Sequence, residues 1–258
     1  MPKIFDTHAH YDDHRFDEDR NALLCSMEEC GVGRILNAAC DLNSSQTSLA
    51  LAEQYPFIYA AVGIHPEQAE TADHCFEDAL ERLSEHQKCV AIGEIGLDYH
   101  YEPLNREVQM HVFERQLSLA EELNLPVIIH ERDALADTLR ILRQYKGRVT
   151  GVFHCFSGSV ETMKTVVDLG MYIGLGGVVT FTNARHAPMV AAAVPADRLL
   201  LETDCPYMAP VPMRGKRNDS GYLTFVAEKI ASLRGVSPET VITETWRNGS
   251  ELFRIRES

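Results

Sequence analysis

The sequence lacks several features that would define its class at once. No run reaches the length of about 18 apolar residues that a membrane-spanning helix requires, so no membrane contact is expected. The opening stretch, MPKIFDTHAH, has no apolar core of the kind found in secretory signals. The seven cysteines are odd in number and include no CxxC pair. This usage is typical of reduced thiols, and we expect a cytoplasmic protein without a disulfide framework.

Basic residues are in the minority. The chain has 24 Lys and Arg against 38 Asp and Glu, which gives a formal net charge of −14. This balance argues against a surface that wraps duplex DNA by bulk electrostatic attraction. It does not exclude a nuclease, because divalent cations can supply positive charge locally. The length of 258 residues suits a single α/β barrel, so we expect one domain over 1–258.

Eight short apolar runs rich in Val, Ile and Ala are typical of strands buried on both faces. They span 3–10, 34–40, 58–65, 89–96, 126–131, 149–156, 171–177 and 198–205. Apolar residues recur at helical spacing in most of the intervening segments, for example at Phe76, Leu80 and Leu83. Strands that alternate with helices predict a parallel sheet, and eight repeats predict a closed (β/α)8 TIM barrel. An open doubly wound sheet is the alternative.

Polar side chains gather at the predicted strand ends, where barrel enzymes place their chemistry. They are His8, His10, His65, Glu94, His130, His154 and Asp204. His8 and His10 stand two residues apart on one strand, so both imidazoles face the same way and can hold one divalent ion. A buried carboxylate such as Glu94 needs a metal or another compensating charge. Four histidines and two carboxylates suffice for two divalent metal ions, each with an open position.

The ligand types bear on which metal binds. Sites rich in imidazole suit Zn, Mn, Fe or Co better than Mg, so we expect a transition metal to bind more tightly. Mg or Mn can still be the working ion, since availability also decides. Asp6 lies on the same face as the paired histidines and is expected either to orient an imidazole or to cap a turn.

Eight motifs together resemble the TatD family of metal-dependent deoxyribonucleases over nearly the whole chain. They are FDTHAH (5–10), VGIHP (62–66), GEIGLDYH (93–100), LPVIIHERDA (125–134), HCFSG (154–158), LLLETDCPYMAP (199–210), RGKRN (214–218) and N-x-x-x-L-F (248–253). The resemblance implies a TIM-type barrel with a binuclear centre. His8, His10 and Asp204 would hold one ion. His130 and His154 would hold the other, with Glu94 as the bridge.

The resemblance also implies an activity on DNA. We expect a 3′–5′ exodeoxyribonuclease that prefers single strands or chain ends. Two metal ions would activate a water, and Asp204 would act as general base with Glu94 as its catalytic partner. The candidate substrate contacts are His65, Arg132, Arg214, Lys216 and Tyr99. A monomer is the default state for this size.

Two motifs depart from the family pattern. The chain has HERDA where Cys or Ser often follows the histidine, and RGKRNDS where Glu and Pro are common. Neither departure touches an expected metal ligand, although both can alter the grip on substrate. Two other functions remain open: a metallohydrolase of acyl, amide or small phosphodiester substrates on the same site, and a non-catalytic binding protein. The basic rim at 214–217 favours phosphate over acyl substrates.

Overall fold

The computed structural model describes residues 2–101 and 105–256. Its eight parallel strands pair in sequential order from β1 to β8. Their bounds are β1 Ile4–Ala9, β2 Val32–Ala38, β3 Ile58–Val62, β4 Cys89–Asp98, β5 Val127–Arg132, β6 Gly151–Phe153, β7 Met171–Leu175 and β8 Leu199–Leu201. The sheet closes where the Asp204 N–H donates to the His8 carbonyl and the His10 N–H donates to the Cys205 carbonyl, both at 2.9 Å. The predicted TIM barrel is therefore confirmed.

Helices follow the strands and pack around the barrel. They are α1 Arg20–Ser26, α2 Leu42–Gln54, α3 Phe76–Ser84, α4 Arg106–Glu122, α5 Leu135–Gln144, α6 Val160–Asp168, α7 Ala187–Ala193, α8 Leu223–Arg234 and α9 Pro238–Leu252. The segment from 206 to 219 has no regular element, as its three prolines predict. Within the described residues, no helix is long and apolar enough to cross a membrane.

Helix α2 is the element that apolar periodicity marks least, and its N-terminus depends on a side-chain cap. The Asp41 carboxylate accepts from the Ser44 N–H at 2.6 Å, and the Ser44 hydroxyl accepts from the Asp41 N–H at 2.8 Å. This capping box satisfies donors that a helix start leaves free. Losing such a cap costs about 1 kcal/mol. The same hydroxyl also accepts from the Cys40 N–H at 2.9 Å, which anchors the end of β2.

Apolar side chains fill the barrel interior near the amino ends of the strands. One buried cluster takes a residue from every strand, and such residues can meet only inside the barrel: Phe5, Leu36, Ala61, Ala91, Ile128, Val152, Tyr172 and Leu200. Leu252, Phe253 and Ile255 join this cluster at the end of α9 and after it. The larger cluster lies between the sheet and the helices. Polar chemistry is thereby left to the carboxyl ends of the strands.

Candidate metal centre

Seven polar residues singled out from the sequence meet at the carboxyl end of the barrel. They are His8 in β1, His10 after it, His65 after β3, Glu94 in β4, His130 in β5, His154 after β6 and Asp204 after β8. A cavity of about 720 Å³ opens above them, and six of the seven line it. The seventh, His8, is fully buried beneath the cavity. Closing the sheet is what brings these distant chain positions together.

The two oxygens of the Glu94 carboxylate face different histidines. Oε2 lies 3.3 Å from the His8 Nε2 and 3.7 Å from the His10 Nε2. Oε1 lies 2.7 Å from the His130 Nδ1 and 2.6 Å from the His154 Nε2. We therefore describe a first half, comprising His8, His10 and Asp204, and a second half, comprising His130 and His154. Glu94 is shared by both halves.

In the first half, two imidazole nitrogens and a carboxylate converge. The Nε2 atoms of His8 and His10 are 3.1 Å apart, and the Asp204 Oδ1 lies 3.4 Å from the His10 Nε2. The His10 Nδ1 is 2.9 Å from the Ala38 carbonyl oxygen, which can only accept a hydrogen bond. In the neutral His10 ring the proton therefore sits on Nδ1, and the Nε2 lone pair is directed at the centre.

In the second half, a carboxylate orients one imidazole. The His130 Nε2 lies 2.9 Å from the Asp98 Oδ2, so this nitrogen donates, and in the neutral ring Nδ1 presents its lone pair to the centre. The His130 Nδ1 and the His154 Nε2 are 3.2 Å apart. Asp98 is itself held by the His100 N–H at 2.8 Å. This chain of carboxylate, imidazole and open donor is typical of metal-binding histidines in proteins.

The donor set fits divalent cations. In each half, ring nitrogens lie about 3 Å apart beside a Glu94 oxygen, so one cation can be shared by several lone pairs that otherwise oppose one another. Four groups of three donors each lie within 4.8 Å: His8, His10 and Asp204; His8, Glu94 and His154; His10, Cys40 and Glu94; and His65, Glu94 and His130. Imidazole and carboxylate together suit Zn, Mn or Co.

Charge is distributed unevenly over this layer. Burial opposes the ionisation of Glu94, but the charge of His154 and the hydrogen bond with His130 outweigh it and hold its pKa well below the usual range. Burial lowers the pKa of His8 to about 4, which keeps that imidazole neutral. Burial also opposes the charge of His130, but the hydrogen bonds from Asp98 and Glu94 prevail and raise its pKa to about 10. In the first half, burial likewise opposes the charge of His10, but its hydrogen bond with Asp204 outweighs burial and holds its pKa well above the usual range. The protein without metal therefore stores a proton in each half.

His65 differs from the other histidines in which nitrogen it turns to the centre. Its Nδ1 accepts from the Glu67 N–H at 3.2 Å, so the proton of the neutral ring sits on Nε2. That Nε2 lies 3.6 Å from the Glu94 Oε1 and points toward the centre as a donor. Burial lowers the pKa of His65 to about 3, so the ring stays neutral. This arrangement suits a contact to an anion better than a bond to a metal.

The remaining candidate substrate contacts take different positions. Arg132 lines the cavity, and its guanidinium lies 4.9 Å from the centre of the Tyr101 ring. The Tyr99 hydroxyl donates to the Asp137 carboxylate at 3.1 Å, and Arg106 covers its ring, so Tyr99 is engaged at the start of α4 and in α5. Its predicted role in base stacking has no support from these contacts.

The two basic candidates after β8 lie farther out. Arg214 and Lys216 are exposed on the loop, and neither is among the described residues that line the cavity. The Arg214 guanidinium lies 3.7 Å from the centre of the Phe181 ring. Arg217, the next cation along the loop, pairs with Asp19 at 2.6 Å. Arg214 therefore packs on Phe181, Arg217 is paired, and Lys216 is exposed to solvent.

Two acids of this layer have roles that sequence reasoning did not assign. Asp98 orients His130, and its position four residues after Glu94 on one strand is a signal that alternation could have supplied. Asp6 accepts from the N–H groups of His8 and Thr203 and from the hydroxyls of Thr203 and Ser220. It therefore joins β1 to the segment after β8 instead of orienting an imidazole.

Comparison with known proteins settles the family. A family model described as TatD related DNase matches residues 5–254. The chain belongs to the TatD family. Its metal-dependent hydrolase relatives include YabD of Bacillus subtilis, described as uncharacterized, which is 42% identical over 98% of this chain and 99% of its own length. The 3′-5′ ssDNA/RNA exonuclease TatD of Salmonella typhimurium is 33% identical, with coverage of 98% and 99%.

A solved structure agrees with this assignment. The TatD homolog YjjV from Escherichia coli K12 superposes with a TM-score of 0.92 at 34% identity, and 98% of each chain is covered. The TatD-family barrel described above is therefore the fold of a metal-dependent hydrolase. Both relatives and the homolog match along almost their entire lengths, so the similarity includes every strand that carries a residue of the candidate centre.

Proposed function

We propose that this TatD-family hydrolase is a nuclease with two divalent cations that cleaves phosphodiester bonds in DNA. The observation that carries the proposal is the split Glu94 carboxylate, which faces the first half with Oε2 and the second half with Oε1. A bridging carboxylate between two sets of donors is the arrangement that two-metal hydrolases use. The relative named as a 3′-5′ ssDNA/RNA exonuclease supports a 3′–5′ direction and a single-stranded substrate.

We assign six residues to two cation sites. His8, His10 and Asp204 would hold one cation, His130 and His154 the other, and Glu94 would bridge them. When bound, such cations make water more acidic and neutralise charge on a phosphate group. Zn, Mn, Co and Mg are the candidates to test. The protein's own part is to fix these donors on rigid strand ends and to exclude bulk water from their lower face.

Asp204 is proposed as the general base. Its side chain is 18% exposed, so it meets the cavity, whereas Glu94 beneath it is 3% exposed. Burial raises the pKa of Asp204, but the hydrogen bond with His10 and the charge of His154 outweigh it and keep the carboxyl ionised. An ionised carboxylate at the cavity floor can orient the attacking water and accept its proton as the water oxygen bonds to phosphorus. The bond from phosphorus to the leaving sugar oxygen breaks, and that oxygen takes up a proton from solvent.

Phosphate recognition is assigned to donors around the cavity. The Nε2–H of His65 points toward the space above Glu94, where a phosphate oxygen can accept it. Arg132 offers a guanidinium from the cavity wall, and we assign the exposed Arg214 and Lys216 to phosphates farther along the substrate. With a net charge of −14, the protein favours single strands or ends over the interior of a duplex.

The organisation of the protein is part of the same proposal. We assign residues 1–258 to one catalytic domain, because the matched relatives are covered over 97–99% of their lengths by it. A monomer suffices, since all seven polar residues of the candidate centre come from one chain. Seven free thiols fit a cytoplasmic location.

The test uses metal-stripped protein that is reloaded with Mg, Mn, Co or Zn. It is incubated with single-stranded DNA, duplex DNA and single-stranded RNA, each labelled at the 5′ end or at the 3′ end. Metal-dependent ladders that shorten from the 3′ end, and that are absent with Asp204→Asn, are the expected result. No cleavage with any metal would overturn the proposal. Turnover of carboxylic esters or amides without cleavage of nucleic acid would assign the site to a different class of hydrolase.

A further inference from the structure

Cys40 stands at the edge of the candidate centre, although neither the expected ligand set nor the mechanism includes it. It follows β2 and lines the cavity. Its backbone is fixed on both sides, because its N–H donates to the Ser44 hydroxyl at 2.9 Å and its carbonyl accepts from the His65 N–H at 2.8 Å. A thiol on so well anchored a backbone keeps a constant position relative to the first half.

The thiol shares space with two expected ligands. The Cys40 Sγ, a ring nitrogen of His10 and an oxygen of Glu94 all lie within 4.8 Å of one another. Sulfur and nitrogen bound to opposite sides of one zinc ion are about 4.4 Å apart, and tetrahedral angles bring them closer. At a tetrahedral angle the separation is about 3.6 Å, so shifts of at most about 1 Å would place all three atoms on one cation.

A second cysteine provides an internal comparison. Cys155 follows His154 and also lines the cavity. However, in the described part of the chain it joins none of the groups of three convergent donors. Access to the cavity alone therefore does not make a cysteine a candidate ligand. What distinguishes Cys40 is its convergence with His10 and Glu94.

We propose that Cys40 is a thiolate ligand of the cation in the first half, and that this centre therefore selects thiophilic divalent cations such as zinc, cobalt or cadmium over magnesium. The inference rests on the proposed metal centre. As the sulfur–metal bond forms, the thiol proton passes to solvent. Thiolate is a soft ligand that favours zinc, whereas magnesium prefers oxygen and keeps its waters. The second half, with imidazole and carboxylate alone, lacks this preference.

Cobalt spectroscopy tests the ligand directly. Metal-stripped protein is titrated with Co(II), and the absorption spectrum is recorded after each addition. A cobalt–thiolate bond gives an intense charge-transfer band in the near ultraviolet, whereas imidazole and carboxylate ligands give only weak visible bands. The wild type should develop the band as the first half fills. Cys40→Ser should keep the visible bands and lose the charge-transfer band.

Two matched variants control for the other thiols. Cys75→Ser removes an exposed thiol that is not among the described residues lining the cavity, and Cys155→Ser removes the other thiol of the cavity. Both should keep the charge-transfer band at wild-type intensity. Loss of the band in Cys155→Ser but not in Cys40→Ser would overturn the assignment. Circular dichroism and the melting temperature establish that each variant is folded. If Cys40→Ser does not fold, Cys40→Ala is used to repeat the test.

Competition with a chromophoric chelator measures the selectivity. Loss of even an outer partner of a ligand typically costs about 10–100-fold in metal affinity. Cys40→Ser should therefore weaken zinc binding by at least about tenfold and leave manganese binding nearly unchanged. Equal losses for both metals would overturn the selectivity. Visible cobalt bands without a charge-transfer band in the wild type would overturn the role of Cys40 but leave the metal centre in place, whereas no cobalt binding at all would overturn both.

Discussion

The two halves of the candidate centre share Glu94 but orient their histidines by different means. In the first half, the backbone carbonyl of Ala38 holds the His10 Nδ1–H at 2.9 Å. In the second half, the Asp98 carboxylate holds the His130 Nε2–H at the same distance. A carboxylate partner makes an imidazole more basic than a neutral carbonyl does. The comparison teaches that one barrel end can orient its histidines with two kinds of partner, a backbone carbonyl and a carboxylate.

Without metal, each half contains one histidine whose pKa is raised, His10 in the first half and His130 in the second. The pKa of His130 is raised to about 10, whereas the pKa of His8 is lowered to about 4. A cation that enters either half must therefore displace a proton, from His10 or from His130, and its binding should depend on pH. A cation that enters the first half meets the neutral His8 ring and the ionised Asp204 carboxylate. Four substitutions test the contrast between the first half and the second half, from the most to the least disruptive.

Glu94→Ala should weaken cation binding in both halves, because it removes the shared ligand from both at once. We expect both cations to bind at least about 100-fold more weakly, since loss of an outer partner already costs about 10–100-fold. Metal content after dialysis and isothermal titration measure the effect. Glu67→Gln, a change at the cavity rim, is the control and should retain both metals. Full metal content in Glu94→Ala would refute the shared-ligand assignment.

Asp204→Asn should impair the chemistry of the first half more than its metal content. The amide keeps the shape of the side chain but cannot accept a proton, and general base catalysis typically contributes about 10²–10⁴-fold. We expect kcat on single-stranded DNA to fall by about that factor. Metal analysis of the same samples separates this loss from a loss of cations. An unchanged kcat would remove Asp204 from the mechanism.

Asp98→Asn should weaken the second half alone. Without the carboxylate partner, His130 becomes less basic and its ring orientation is less fixed, and such changes typically cost about 10–100-fold in metal affinity. Stepwise titration with Mn or Co should show one cation bound more weakly and the other unchanged. If both affinities fall together, the halves are coupled through Glu94 more strongly than the geometry indicates.

Glu202→Gln tests a buried carboxyl group that connects the segment of Asp204, in the first half, to the segment of His154, in the second half. Glu202 follows β8, and its Oε1 accepts from the backbone N–H of Cys155 after β6. Burial raises its pKa from 4.5 to about 8 in the protein without metal. A raised carboxyl pKa stabilises the fold at low pH, and this stability is lost as the pH rises from about 4.5 to about 8.

The glutamine removes this titration but can still accept the hydrogen bond. The free energy of unfolding of the metal-free wild type should therefore fall relative to Glu202→Gln by about 1.4 kcal/mol per pH unit over that range. Urea unfolding at several pH values provides the measurement. Curves that remain parallel across the whole range would show that Glu202 is ionised in the fold.

Much of the fold was predictable because strand and helix signals are local. Apolar runs marked all eight strands, and the predicted and observed bounds overlap at every one. The predicted and observed bounds differ mainly at the strand ends. The run at 198–205 shortens to a strand over Leu199–Leu201, because the chain leaves the sheet where Glu202 and Asp204 enter the site. Apolar periodicity does not predict helix α2, since the start of this helix depends more on the Asp41 and Ser44 cap.

By itself, the sequence determined which residues could form a centre, because strand alternation and strand ends specify faces and positions along the chain. It placed His8, His10, His130, His154, Glu94 and Asp204 at one end of the barrel. Only the tertiary structure decided how Glu94 divides its oxygens, which ring nitrogen of each histidine faces inward, and that Cys40 stands beside His10. These features depend on closure of β1 against the segment after β8 and on backbone partners such as Ala38, which no local pattern encodes.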